Sequence, residues 1–206
     1  MTKDLLPNVN DVANRRLRRW SVVLAIAALT VALGLGGDTL RLLGRYQPSA
    51  FDDGEYWRLL TAHLLHLGWG HLWPNVAALL LIGALFDKVF DRIDWLAVGF
   101  AAALAIDAGL YLLDPEVRWY VGLSGVLHGF VAGGALAAML RGQSSGVWLA
   151  AGLGVKLLWE QTLGPMPLTA AAAGGPVIVA AHLYGSAGGL LASTASYFVR
   201  RRHSRV

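Results

Sequence analysis

Three short stretches carry side chains able to do chemistry together. In GLSGVLHG, Gly122 to Gly129, Ser124 stands between glycines with His128 four residues on. In HLWPN, His71 and Asn75 are also four apart, which puts both on one face of a helix. In AHLYGSAGG, Gly185 and Gly189 follow His182. A serine hydroxyl is inert until a base takes its proton, and a neutral imidazole within hydrogen-bond reach can do so. An imidazole and a carboxamide on one helix face can donate hydrogen bonds to an oxygen that turns negative during acyl transfer. The Ser124 amide, close to a helix start, adds a donor of the same kind, and its flanking glycines let backbone and substrate come close. His128 shares the Ser124 face and is open to three roles: packing against His182, competing as a base, or an unrelated helix contact.

Such residues need a scaffold, and the composition says which kind. Hydrophobic residues make up 56% of the 206-residue chain, charged residues 15%, and the mean hydropathy is +0.53. A soluble domain carries about a quarter charged residues, so the deficit points to a membrane protein, with the lipid bilayer as its medium. Six apolar runs follow, at 20–37, 71–90, 95–113, 120–140, 147–163 and 177–199. Each is near the roughly 20 residues that cross about 30 Å of hydrocarbon. They are rich in small residues, which helices need to pack closely in lipid. With the first terminus inside, twelve of the seventeen Lys and Arg fall on the cytoplasmic side and only Arg41, Arg45, Arg58 and Arg118 outside. That asymmetry predicts both termini in the cytoplasm. The reading is therefore an all-α, six-helix membrane bundle. It has a basic segment at 1–19, one domain at 20–199 and a basic tail at 200–206.

On this topology runs two, four and six enter from the outer face. Ser124 lies about four residues into run four, roughly 6 Å, and His182 about six residues into run six, roughly 9 Å. His71 and Asn75 fall in the first two turns of run two. Polar side chains from three helices thus reach one level, where ionisable groups are costly and point to function. The aromatic-rich connection between runs one and two suits the membrane interface, and His66 is placed there. Lys156 and Glu160, four apart in run five, either neutralise each other or line the path by which substrate enters. Asp107 in run three is expected to pair with a polar neighbour.

Several classes are excluded. With no cysteine there are no disulfides or thiolate sites. No H-E-x-x-H spacing occurs and no carboxylate accompanies the histidines in sequence, so no metal and no cofactor is expected. The net charge of +4 sits mainly at the chain ends, where it sets orientation, so nucleic acid is not an expected partner. Nothing after the first run looks like a cleavage site for a signal peptide.

GLSG, the His71–Asn75 pair and AHLYGSAGG, with EYWRLLTAHLLHLGWGHL leading into the second run, resemble the signature elements of rhomboid intramembrane serine proteases. The resemblance covers about Trp57 to Gly189. It implies a Ser124–His182 dyad with no acidic third member, Ser124 as nucleophile and His182 as general base. His71, Asn75 and Ser124 would form the oxyanion hole, with Gly122 and His128 supporting. Gly185 and Gly189 match small positions that let helix six pack on helix four. Two departures stand out: His128 where many rhomboids carry tyrosine, and Pro74 before Asn75, which should bend the start of helix two. GLSGVLHG with KLLWEQ in run five is most similar to the rhombosortase branch. That branch implies single-span substrates with C-terminal Gly-Gly sorting tails, at a bacterial inner membrane with the site opening to the periplasm. A general rhomboid protease and an inactive client-binding relative stay open as alternatives.

Overall fold

The computed structural model describes residues 9–167, 171 and 174–203. Eight α-helices are present among them: α1 Val9–Gly34, α2 Gly37–Gly44, α3 Arg58–Thr61, α4 Trp69–Leu85, α5 Arg92–Leu112, α6 Ser124–Leu140, α7 Ser144–Leu163 and α8 Ala180–His203. The six longer ones lie on the six apolar runs. Helix α5, 21 residues with a mean hydropathy of 1.7, is long and apolar enough to cross a membrane by itself. Residues 19–34 of α1 pass the same test only together with α2, which turns away at 113°. Helices α4 and α6 are apolar but shorter, at 17 residues each.

Helix edges differ from the sequence expectation by a few residues at most ends, and three of the differences have a plain cause. Helix α1 starts at Val9 and runs through the arginines before the first apolar run, and α8 continues through Arg200–Arg202. Arginine is a good helix former, so the boundaries drawn at 19/20 and 199/200 fall inside helices. The fourth helix begins at Ser124 rather than at 120, because Tyr120 is held in an antiparallel bridge to Tyr46. The chain then turns through Gly122 at φ 139°, a region L side chains avoid. A Cβ at Gly122 would also come within 3.1 Å of the His71 ring.

The core is built around α8, which packs mainly on α6 and α5. Two glycines make the α6–α8 contact possible. A Cβ at Gly185 would stand 2.1 Å from the Gly125 carbonyl oxygen, and one at Gly189 would stand 2.1 Å from that of Gly129. Without side chains the two backbones touch, and close backbone approach is what holds helices together in lipid. At the far end, α5 starts with a capping box. Asp91 Oδ1 accepts from the Asp94 amide at 2.9 Å, and Asp94 Oδ2 accepts from the Asp91 amide at 3.1 Å.

Candidate active site

Ser124 is the first residue of α6, His182 the third of α8 and His71 the third of α4. The positive ends of three helix dipoles therefore face one region. The depth agreement seen in the sequence has this origin: the groups sit at helix starts, not part-way down long spans.

The Ser124 hydroxyl lies 3.0 Å from His182 Nε2. On its other side, His182 Nδ1 lies 2.8 Å from Glu160 Oε2. The second Glu160 oxygen accepts from Lys156 Nζ. Glu160 is only 1% exposed, and a carboxylate buried to that degree must be paired. His128 stacks on His182 with ring centroids 4.0 Å apart and planes 12° apart. Its Nδ1 donates to the Ser124 carbonyl oxygen at 2.7 Å, since a carbonyl can only accept.

His71 is oriented by the backbone. The Leu67 amide donates to His71 Nδ1 at 3.4 Å, which leaves the proton of the neutral ring on Nε2. That nitrogen faces Gly122, beside the serine. Asn75 is buried and donates one amide hydrogen to the His71 carbonyl at 2.8 Å, keeping its second for another acceptor. A cavity of about 480 Å³ between α4 and α7 is lined by His71, Asn75, Ser124, His128, Lys156 and His182. A second, of about 320 Å³, reaches Ser124 and His71 from the loops around Trp119 and Val177. The serine thus stands where two openings meet.

The structure therefore brings Ser124, His182, His71, Asn75, Gly122, His128, Lys156 and Glu160 together, with Gly185 and Gly189 behind them. It corrects one expectation. A carboxylate does accompany the histidines in space, with Glu160 bonded to His182 Nδ1 while Ser124 meets Nε2. Spacing along α7 showed only that Lys156 and Glu160 share a face, not that Glu160 also reaches across to α8. His66 lies in the connection between the first two apolar runs, as expected, and is buried there with its ring 4.8 Å from that of His71. Burial, with His71 beside it, pushes the His66 imidazole down to about 3, so it stays neutral. Asp107 pairs with His63, Oδ1 to Nε2 at 3.2 Å.

His128, Glu160 and His182 place one possible ligand atom each within 4.8 Å of one another, the spacing of a three-ligand metal site. The geometry does not suit one. Stacked parallel rings direct their lone pairs along parallel planes instead of to one point, and both His182 nitrogens already have partners.

A family model described as Rhomboid domain matches residues 53–198. Among curated proteins, GluP, a rhomboid protease of Bacillus subtilis (strain 168), is 30% identical over 92 residues, 45% of this chain and 18% of GluP. The YdcA rhomboid protein of the same organism is 31% identical over 77 residues, 37% of this chain and 39% of its own. RHOMBOID-like protein 5 of Arabidopsis thaliana is 33% identical over 100 residues, 48% of this chain and 32% of its own. The chain spans well under half the length of the curated relatives it matches.

Proposed function

This chain belongs to the rhomboid family, and on that premise we propose that it is a serine endopeptidase working inside a membrane. The observation that carries the reading is the Ser124 hydroxyl 3.0 Å from His182 Nε2 at the junction of two cavities. A substrate helix enters between α4 and α7 and unwinds, because a helix hides its carbonyls. Ser124 Oγ attacks the exposed carbonyl carbon while His182 takes the hydroxyl proton. His71 Nε2–H, the free Asn75 amide hydrogen and the Ser124 amide stabilise the oxyanion. The tetrahedral species collapses, the C–N bond breaks, and the leaving amine takes the proton from His182. Water entering from the loop-side cavity then hydrolyses the acyl-enzyme, again with His182 as base.

The finer reading is a rhombosortase-type enzyme that cuts C-terminal Gly-Gly tails of single-span exported proteins. Its support is that the two stretches marking this branch, GLSGVLHG and KLLWEQ, each put a residue on the catalytic base: His128 stacks on His182 and Glu160 bonds it. A glycine pair also lowers the cost of unwinding, by about 1 kcal/mol per residue relative to alanine. The proposed setting is a bacterial inner membrane, crossed six times, with both termini cytoplasmic and the site opening to the periplasm. The distribution of Lys and Arg supports that orientation.

The test is labelling by a fluorophosphonate, with mass spectrometry of a co-expressed Gly-Gly-tailed substrate. Ser124→Ala and His182→Ala should each abolish cleavage while the protein still inserts. Full cleavage by either variant overturns the mechanism. Absence of any labelling of the native chain favours the inactive client-binding alternative. A cut far from the glycine pair favours a general rhomboid specificity.

A further inference from the structure

We infer that Glu160 is a positioning residue for the catalytic base, held as a pure acceptor by Lys156, so that the site works as a Ser124–His182–Glu160 relay; this rests on the serine-protease reading above. The argument begins with protons. Lys156 can only donate, so the Glu160 oxygen facing it accepts. The ionised carboxylate has no proton of its own, and its other oxygen must accept from His182 Nδ1 at 2.8 Å. With the Nδ1 position protonated, the neutral ring presents a lone pair at Nε2, and that atom faces the Ser124 hydroxyl. One charged pair on α7 thereby selects the tautomer able to take the serine proton.

Burial separates this role from that of a substrate contact. Lys156 lines the cavity between α4 and α7, whereas Glu160 lies behind it and is 1% exposed. A substrate in the cavity meets the lysine stem and not the carboxylate. The placement also suits the transition state. When His182 becomes positive, the carboxylate is already aligned, and water exclusion strengthens the attraction. His128 stacks on the face of the ring. The imidazole is thus fixed by three separate contacts.

The test uses the full chain in lipid nanodiscs and a fluorophosphonate probe. In the labelling step the Oγ–P bond forms, the P–F bond breaks, fluoride leaves, and the serine proton passes to His182 Nε2. Glu160→Gln keeps size and shape. Because Lys156 only donates, the new amide must turn its oxygen to Lys156 and its NH2 to His182 Nδ1. That places the imidazole proton on Nε2, the wrong nitrogen. The maximal labelling rate should fall about 10⁴-fold, as for a tautomer error in a serine protease, with probe affinity unchanged. Adding Lys156→Met frees the amide to turn back and should recover at least about tenfold of that loss. Labelling of Glu160→Gln at the native rate overturns the inference, as does absence of recovery in the double variant. Should Glu160→Gln not accumulate folded, Glu160→Asp carries the test. A loss within about 10²-fold, the scale of a 1 Å misplacement, supports the charge role. A loss equal to that of His182→Ala overturns it. If Ser124→Ala is silent and Glu160→Gln labels normally, only this inference falls. If the native chain does not label, the protease reading falls with it.

Discussion

Among the described residues stand two buried histidine–carboxylate pairs, and they are put to different uses. His182 and Glu160 join α8 to α7 at 2.8 Å, and His63 and Asp107 join the segment after α3 to α5 at 3.2 Å. All four residues are nearly inaccessible. The difference lies at the far nitrogen of each ring. His182 turns Nε2 to a serine at the junction of two cavities, while His63 Nδ1 and Asp107 Oδ2 have no hydrogen-bond partner among the described residues. Around the second pair stand Tyr46 and the Tyr120 ring, whose hydroxyl donates to the Gly122 carbonyl at 2.7 Å. Burial, with Asp107 nearby, pushes the Tyr46 phenol up to about 12. A histidine–carboxylate pair is therefore only half of a catalytic unit; a nucleophile and an opening supply the rest. The enclosed pair backs the bridge that delivers the chain to Gly122 and so to Ser124.

That contrast can be sharpened first at the oxyanion donors, which only the His182 pair has opposite it. His71→Ala and Asn75→Ala should each lower the maximal cleavage rate by about 10²- to 10³-fold, the usual loss for one such donor. Labelled Ser124 should still be detected after long incubation, because the nucleophile and base remain in place. Cleavage at native rates in both variants would mean that the Ser124 amide and the helix ends stabilise the charge without them.

The enclosed pair predicts the opposite split. Asp107→Ala removes the partner of a buried imidazole and should cost about 1–3 kcal/mol of stability, read as a lower unfolding midpoint in detergent. The labelling rate per folded molecule should stay within about twofold of native, an effect under 0.5 kcal/mol by the rate arithmetic. A large loss of rate without loss of stability would make the two pairs alike and break the comparison.

These pairs also show what a sequence can and cannot display in such a protein. Ser124, His182, His71 and Asn75 were legible because polar groups are costly in apolar runs and these stood at one level. Gly185 and Gly189 were legible through the resemblance, and their crowding against α6 shows the physical need for them. Glu160 is legible only in part: its pairing with Lys156 follows from the spacing and is present, while its contact with His182 does not show in the sequence. The second oxygen meets a helix 22 residues away, and no spacing rule reports that. The apolar run begins four residues before α6 for a related reason: residues 120–123 are as apolar as the helix. What stops the helix is a bridge to Tyr46, far along the chain, and one positive-φ glycine. Contacts within one helix leave a period in the sequence; contacts between helices leave none.

The smallest effect belongs to a third ionic site, at the opposite end of α5 and α8. Arg200 bonds Asp91 at 2.9 Å and Asp94 at 2.8 Å, with Arg200 and Asp91 about half exposed. Lys156 and Glu160 neutralise each other in a dry site, but solvent screens most of this attraction, so Arg200→Ala should cost only about 0.2–1 kcal/mol. Its sign with pH follows from Asp91. Partial burial raises that carboxyl, but the Asp94 amide and the Arg200 guanidinium outweigh burial and hold it below the ordinary aspartate value. A depressed acid contributes stability above its unfolded pKa, about 3.9, and loses it as pH falls through the folded value. The difference between native and Arg200→Ala unfolding midpoints should therefore be constant from about pH 7 to 5 and shrink only below about pH 4. A difference that already vanishes near pH 6 would tie this clamp to a histidine instead of to Asp91. The labelling rate at Ser124 should not change at any of these pH values relative to native, because the capping box holds the start of α5 without the arginine.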